Sequence, residues 1–160
     1  MKKPTPPTPE ATLEKMRQLA PVCAFNNLRI VSRLVERLYD DAFRSSAISA
    51  SQVALLWTVL VTEPVTMRSL STYMSADQTT LSRVVSHAIE LRLLTMERDL
   101  VDRRMKLIAL TPKGRQKLSA IFAPWQQMQE QVGSLVDLER LTGVAKKARR
   151  YDKDQRLTHR

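Results

Sequence analysis

The sequence holds a single cysteine, Cys23, among 160 residues. An internal disulfide is therefore excluded, and a lone thiol suits a reducing compartment. Glycine is also scarce, at three residues. A glycine-rich phosphate loop is absent, as are an H-E-x-x-H and a C-x-x-C pair. The two histidines, His87 and His159, lie far from each other and from Cys23, so no metal site follows from their spacing. Without a nucleophile–base pair, a metal set or a phosphate cradle, the expectation is a protein that is not an enzyme and carries no cofactor. No apolar run reaches spanning length, and the opening MKKPTPPTP has no apolar signal stretch, so no membrane association and a cytoplasmic location are expected. Aromatic residues make up 5%, which suits a mostly helical protein.

Acidic residues are outnumbered, 16 against 26 basic, which leaves a formal net charge of +10. The excess is placed unevenly. Residues 64–117 hold ten basic and five acidic side chains, and residues 140–160 hold eight and two. Such a balance implies a polyanionic partner. The basic end lacks an apolar stripe, which favours nucleic acid over a membrane surface. Taken alone, basic charge fits simple solubility equally well.

Hydrophobic periodicity gives the organisation. Residues 1–9 have the composition of a disordered tail. A short helix follows from Glu10 to Leu19, closed by Pro21. From Val22 to Arg44, Leu28, Val31, Val35, Leu38 and Ala42 repeat at helical spacing, and Phe25, Ile30, Leu34 and Phe43 widen that apolar face beyond what one small domain needs. Ser51 to Thr62 reads as a support helix with Val53, Leu55, Leu56, Val59 and Leu60 inside. Glu63-Pro64-Val65 is a turn or short strand. Pro112 to Val132 is a helix kinked at Pro124, with Leu118, Ile121, Phe122, Trp125, Met128 and Val132 on one face. Gly133 and Ser134 end it, and Ser134 caps a last helix to about Arg150. Residues 151–160 form a basic tail, expected to be mobile.

Between these frames lies Thr66 to Gly114. Thr66 and Asp77 are N-cap candidates for two successive helices. Behind Asp77, Leu81, Val84, Val85, Ala88 and Leu91 fall on one face. The other face carries Gln78, Thr79, Ser82, Arg83 and Ser86, types that reach base edges and phosphates in a major groove. Two strand-like runs, Leu93 to Arg98 and Lys106 to Leu110, flank a charged tip, Asp99 to Arg104. An exposed arginine on a thin loop suits a minor groove, so Arg103 and Arg104 are candidates for DNA contact. Asp102 is expected to hold one of them by a charge-assisted bond. Thr111 and Pro112 then start a helix as cap and first residue. Helix, turn, helix and hairpin in this order make a winged helix-turn-helix. The fold class is mainly α with a small β wing. The winged unit spans residues 47–111, and dimerisation helices at residues 10–46 and 112–150 flank it.

The runs LSTYMSADQTTLSRVV, DLVDRR and LTPKGR resemble the MarR family of bacterial transcription regulators. The family's wing motif, D-x-R then L-T-x-x-G, is matched by Asp102, Arg104, Leu110, Thr111 and Gly114. The likeness covers roughly Cys23 to Met128. It implies a homodimer that binds double-stranded DNA at a pseudo-palindromic operator, usually as a repressor, and often responds to a small-molecule effector. Arg29, Arg33 or Trp57 would line a pocket for one. Two positions depart from the family. Arg92 stands where a glycine usually ends the recognition helix, and since a left-handed non-glycine residue costs about 1 kcal/mol, that end is expected to differ. Leu100 stands where proline is frequent in the wing.

Some relatives sense peroxide through a cysteine early in the first long helix. Cys23 lies two positions too early for that role when the chains are aligned on Leu38-Tyr39, and it reads by default as a small buried hydrophobe. His87 reads as a partly exposed structural residue, and Trp57 and Trp125 as core. Two competing functions remain alongside the DNA-binding regulator: a winged-helix docking module for protein, without sequence-specific DNA binding, and a Cys23 redox-sensing regulator.

Overall fold

The computed structural model describes residues 8–158, which divide into two units, one ending at Arg37 and the other starting at Leu38. The expected disordered stretch before Thr8, and His159 in the tail, lie outside the described residues. In the first unit, α1 (Pro9–Leu19) starts because the Thr8 hydroxyl accepts from the Ala11 N–H and Pro9 needs no partner at the first position. A single 3-10 turn at Ala20–Val22 absorbs Pro21, and the Asn27 side chain donates to the Pro21 carbonyl at 2.9 Å. The second long helix, α2 (Ala24–Phe43), begins in this unit and ends in the next. No residue of α1 is buried, and Phe25, Leu28, Ile30, Val31 and Leu34 of α2 are all exposed.

The second unit is built around the buried end of α2. Phe43 is fully enclosed, with the Tyr39 ring tilted against it at 5.7 Å. Ser49 and Gln52 form a reciprocal capping box that starts α3 (Ala50–Thr62), and the Asp40 carboxylate accepts from the Ala50 N–H at 2.6 Å. Val53, Leu55, Leu56 and Val59 point inward as expected, while Leu60 is outward-facing. After β1 (Val65–Thr66) come α4 (Met67–Met74), α5 (Gln78–Glu90), β2 (Leu94–Arg98) and β3 (Lys106–Leu110). The strands form an antiparallel sheet in the order β1-β3-β2, with Val65 opposite Ile108 and Leu94 opposite Leu110. Ile108 and Leu110 are the inward residues of β3, and they close a core with Leu55, Leu56, Leu70, Val85 and Leu94.

The helix expected from Pro112 to Val132 is two helices, α6 (Pro112–Ala120) and α7 (Phe122–Leu135), separated at Ile121. Pro124 has no N–H to offer the Ala120 carbonyl, so the ladder breaks one turn before it rather than merely bending. Gly133 and Ser134 do not end α7; they lie within it, and the Ser134 hydroxyl donates to the Gln131 carbonyl. Asp137, not Ser134, caps α8 (Leu138–Thr158), accepting from the Arg140 N–H at 2.9 Å. The segment expected as a mobile tail from Tyr151 is helical through Thr158. Beyond Gly143, ten of the fifteen residues to Thr158 are Ala, Lys, Arg, Gln or Leu, all good helix formers, and none is proline. Trp57 of α3 and Trp125 of α7 are half-buried and stack at 4.8 Å, while Phe122, expected inside, is exposed.

One glycine is fixed by space. A Cβ on Gly114 would lie 2.1 Å from the Leu93 carbonyl oxygen and 3.0 Å from the Leu110 side chain. Gly114→Ala is therefore expected to destabilise the protein by about 2–3 kcal/mol, as forced overpacking does. Urea unfolding of the two proteins checks this, and equal midpoints would show that the α6 start can shift at no cost.

Candidate nucleic-acid interface

The turn between α4 and α5 is locked from inside. Ser75 adopts a left-handed conformation at φ 50°, and the Ala76 N–H returns to the Ser71 carbonyl at 3.1 Å. The buried Ser71 hydroxyl donates in turn to the Ala76 carbonyl at 2.7 Å. This reciprocal pair fixes the angle between the two helices. No sequence signal marks Ser71, because a serine within a short amphipathic helix reads as solvated.

Helix α5 begins where expected. Asp77 caps it, accepting from the Thr80 N–H at 2.8 Å. Hydrogen bonds from the Thr80 backbone and hydroxyl, larger than any burial effect, hold the Asp77 carboxyl below its ordinary value. Leu81, Val85 and Ala88 anchor the inner face, while Leu91, expected there, is partly exposed, at 37%. Gln78, Thr79, Ser82, Arg83 and Ser86 all lie exposed on the outer face. Among the described residues, no side-chain partner holds any of the five. His87 is exposed and lies 3.6 Å from the Glu90 carboxylate.

The end of α5 corrects the expectation drawn from Arg92. The helix ends as it would with glycine: Arg92 takes φ 59°, its N–H donates to the Ile89 carbonyl at 2.8 Å, and the Leu93 N–H donates to the Ala88 carbonyl at 2.9 Å. That is a Schellman motif. Tertiary bonds offset the left-handed strain. The Thr111 hydroxyl donates to the Arg92 carbonyl at 2.6 Å, and the Lys113 ammonium donates to the Leu91 carbonyl at 2.9 Å. Sequence reading missed Lys113, whose bond closes over 22 positions.

The wing loop joins β2 to β3 and carries Asp102, Arg103 and Arg104, all exposed. Asp102 does not pair with a guanidinium among the described residues. Its carboxylate accepts from the Arg104 N–H at 3.0 Å, so it shapes the backbone that bears the arginine. Asp99, which has no evident role in the sequence, does the same for Val101 and Asp102, at 2.6 and 3.2 Å. Two aspartates three apart, each two residues before the N–H it accepts, were the available signal. At the wing's base, Glu63 takes the Leu110 N–H at 2.7 Å and pairs with the Arg115 guanidinium, tying α3 to β3 and α6.

Elsewhere, Cys23 is exposed rather than buried, as no described residue of the first unit is buried. An open groove of about 500 Å³ lies among Ala54, Thr58, Tyr73, Met74, Ser75, Ala145, Ala148, Arg149 and Asp152. Neither Arg29, Arg33 nor Trp57 lines it.

Residues 48–114 match a family model described as a winged helix DNA-binding domain. An uncharacterized HTH-type transcriptional regulator of Staphylococcus aureus is 26% identical over 108 residues, covering 68% of this chain and 74% of the relative. The structure is similar to that of the Mycobacterium tuberculosis transcriptional regulator MosR in complex with DNA, at TM-score 0.67 and 27% identity, over 79% of this chain and 98% of that one. It also shares its fold with an Escherichia coli MarR mutant complexed with operator DNA, at TM-score 0.66, 18% identity and 79% and 96% coverage. A third likeness of fold is to CouR from Rhodococcus jostii bound to p-coumaroyl-CoA, at TM-score 0.67, 20% identity and 76% and 88% coverage.

The depressed Asp77 carboxyl has a pH consequence. Its contribution to stability is complete above the unfolded value of about 3.9 and is lost as pH falls through the lower folded value. Asp77→Asn keeps a capping oxygen but no charge. The stability gap between the two proteins is expected to shrink between about pH 5 and pH 2. A gap that stays constant over that range in denaturant titrations would remove the carboxylate charge from the cap.

Proposed function

We propose that the chain is a winged helix-turn-helix transcription regulator of the MarR family and that it acts as a homodimeric, ligand-responsive repressor of a pseudo-palindromic operator. One observation carries the reading. A capped α5 presents Gln78, Thr79, Ser82, Arg83 and Ser86 exposed and unpartnered, beside a wing whose loop bonds fix the backbone of Arg104. Short donors and acceptors with one long cation suit base edges in a major groove. Arg103 and Arg104 suit the narrow minor groove that flanks it. Asp102 acts on DNA only through the loop it shapes.

Twofold assembly is supported by the apolar residues that neither end of the chain covers. Phe25, Leu28, Ile30 and Leu34 of α2 lie exposed, as do Leu135 and Leu141 near the other end. A second copy offers each the partner it lacks. Residues 10–46 and 112–150 then form the dimerising frame, and residues 47–111 the DNA head. Two heads on a twofold frame select half-sites about one helical turn apart. An effector that binds one spacing of the heads better than another shifts that equilibrium. A head moved out of register gives up about 1–3 kcal/mol for each base it no longer grips in bidentate fashion. The CouR complex with p-coumaroyl-CoA supports a ligand step on this fold.

Selection from random duplexes is expected to enrich a pseudo-palindrome, and Gln78→Ala and Arg83→Ala are expected to change the preferred bases. No enrichment would favour a protein-docking module, and unchanged preference in both variants would take base reading away from α5. Sedimentation is expected to give about twice 18.3 kDa. A monomer at micromolar concentration would remove the twofold frame.

A further inference from the structure

The two most exposed large apolar side chains of the described residues sit together at the wing tip. Leu100 and Val101 are each 97% exposed, against 72% for the next in order. An isolated surface leucine needs no explanation. This pair differs in how it is held. The Asp99 carboxylate accepts from Val101 and Asp102, and the Asp102 carboxylate from Arg104. The Asp99 N–H donates to the Met105 carbonyl at 3.0 Å, and the Met105 N–H to the Asp102 carbonyl at 2.9 Å. The backbone across the tip is thus bonded to itself, and the apolar pair is set outward on a shaped loop rather than left on a floppy one. Arg103 and Arg104 follow after Asp102, whose carboxylate is turned to the Arg104 N–H, so whatever receives the apolar pair also meets two cations.

A minor groove offers that combination. Its walls are sugar carbons, its floor is narrow and electronegative, and base steps open to admit leucine-sized wedges. We propose that Leu100, flanked by Val101, enters the minor groove as an apolar wedge, and that Arg103 and Arg104 hold the wing there by charge. This rests on the DNA-binding reading above and adds a contact of a different physical kind. The wedge is preorganised by Asp99 and Asp102, so little loop entropy is lost on entry. The wedge itself favours a flexible pyrimidine–purine step, while the arginines favour a narrow stretch of groove beside that step.

The chemistry separates the apolar from the ionic contribution. Binding to the selected duplex is measured by fluorescence anisotropy between about 50 and 200 mM salt for the wild type, a Leu100→Ser/Val101→Ser double variant, Leu100→Met and Arg104→Ala. The double variant is expected to lose about tenfold in affinity at every salt concentration with the slope unchanged, since partial burial of apolar surface releases no counterions. Leu100→Met is expected to retain wild-type binding. Arg104→Ala is expected to lower the slope by about one. Circular dichroism checks that the double variant is folded, and the loop bonds above use none of the altered side chains. Wild-type affinity in the double variant would overturn the wedge while leaving DNA binding intact. So would a loss that appears with dissociation of the dimer in sedimentation, which would assign the tip to a protein contact. A wild type that binds no duplex would overturn the parent reading and this one together.

Discussion

The backbone of Leu93 is the constraint on which the winged unit depends. Its N–H closes the end of α5 on Ala88, and its carbonyl accepts from both the N–H and the hydroxyl of Thr111. Gly114 packs so close to that carbonyl that no side chain fits between. One residue therefore joins the end of α5, the start of the wing and the first turn of α6. Thr111 serves both sides at once, donating to Arg92 and accepting from Gly114. Because α5 and the wing leave this junction with fixed directions, the side chains they carry are aimed by backbone bonds. Few of them need side-chain partners of their own.

Glu63 and Lys117 extend the same logic outward. Glu63 satisfies the Leu110 N–H and holds Arg115, while the Lys117 ammonium donates to the Ser46 carbonyl at 2.7 Å. Helix α6 is thereby fastened at two points to segments that precede α5 by many residues. Among the described residues of the first unit, α1 buries nothing and most of the α2 stripe stays open. An apolar helix face is stable only against another apolar surface. The winged unit holds a buried core of its own, whereas the apolar residues of α2 before Val35 lie exposed.

Local chemistry is legible in the sequence, and long-range closure is not. The caps at Thr66, Asp77 and Thr111 show because the capping residue and the N–H it serves lie within three positions. The strands beside the wing show through their period, and the L-T-P-K-G run through its turn chemistry. Arg92 misleads because its strain is visible locally, whereas the bonds from Thr111 and Lys113 that offset it come from far along the chain. Asp102 misleads because charge suggests a side-chain partner while geometry supplies a backbone one. Ser134 and Asp137 compete for the same cap, and the glycine beside Ser134 draws attention away from the better acidic cap three residues on. Cys23 reads as buried only if the first unit has an interior, and none of the described residues of that unit is buried.

The break at Ile121 leaves α7 joined to α6 through a single non-helical residue, and the next contact along α7 is the stack of Trp125 on Trp57. These are the only two tryptophans in the chain. Two indoles at 4.8 Å and 29° couple their electronic transitions, so the molecule's near-ultraviolet signal is dominated by one joint rather than averaged over many. The protein thus carries its own optical gauge at the place where the support helix of the winged unit meets the helix leading away from it.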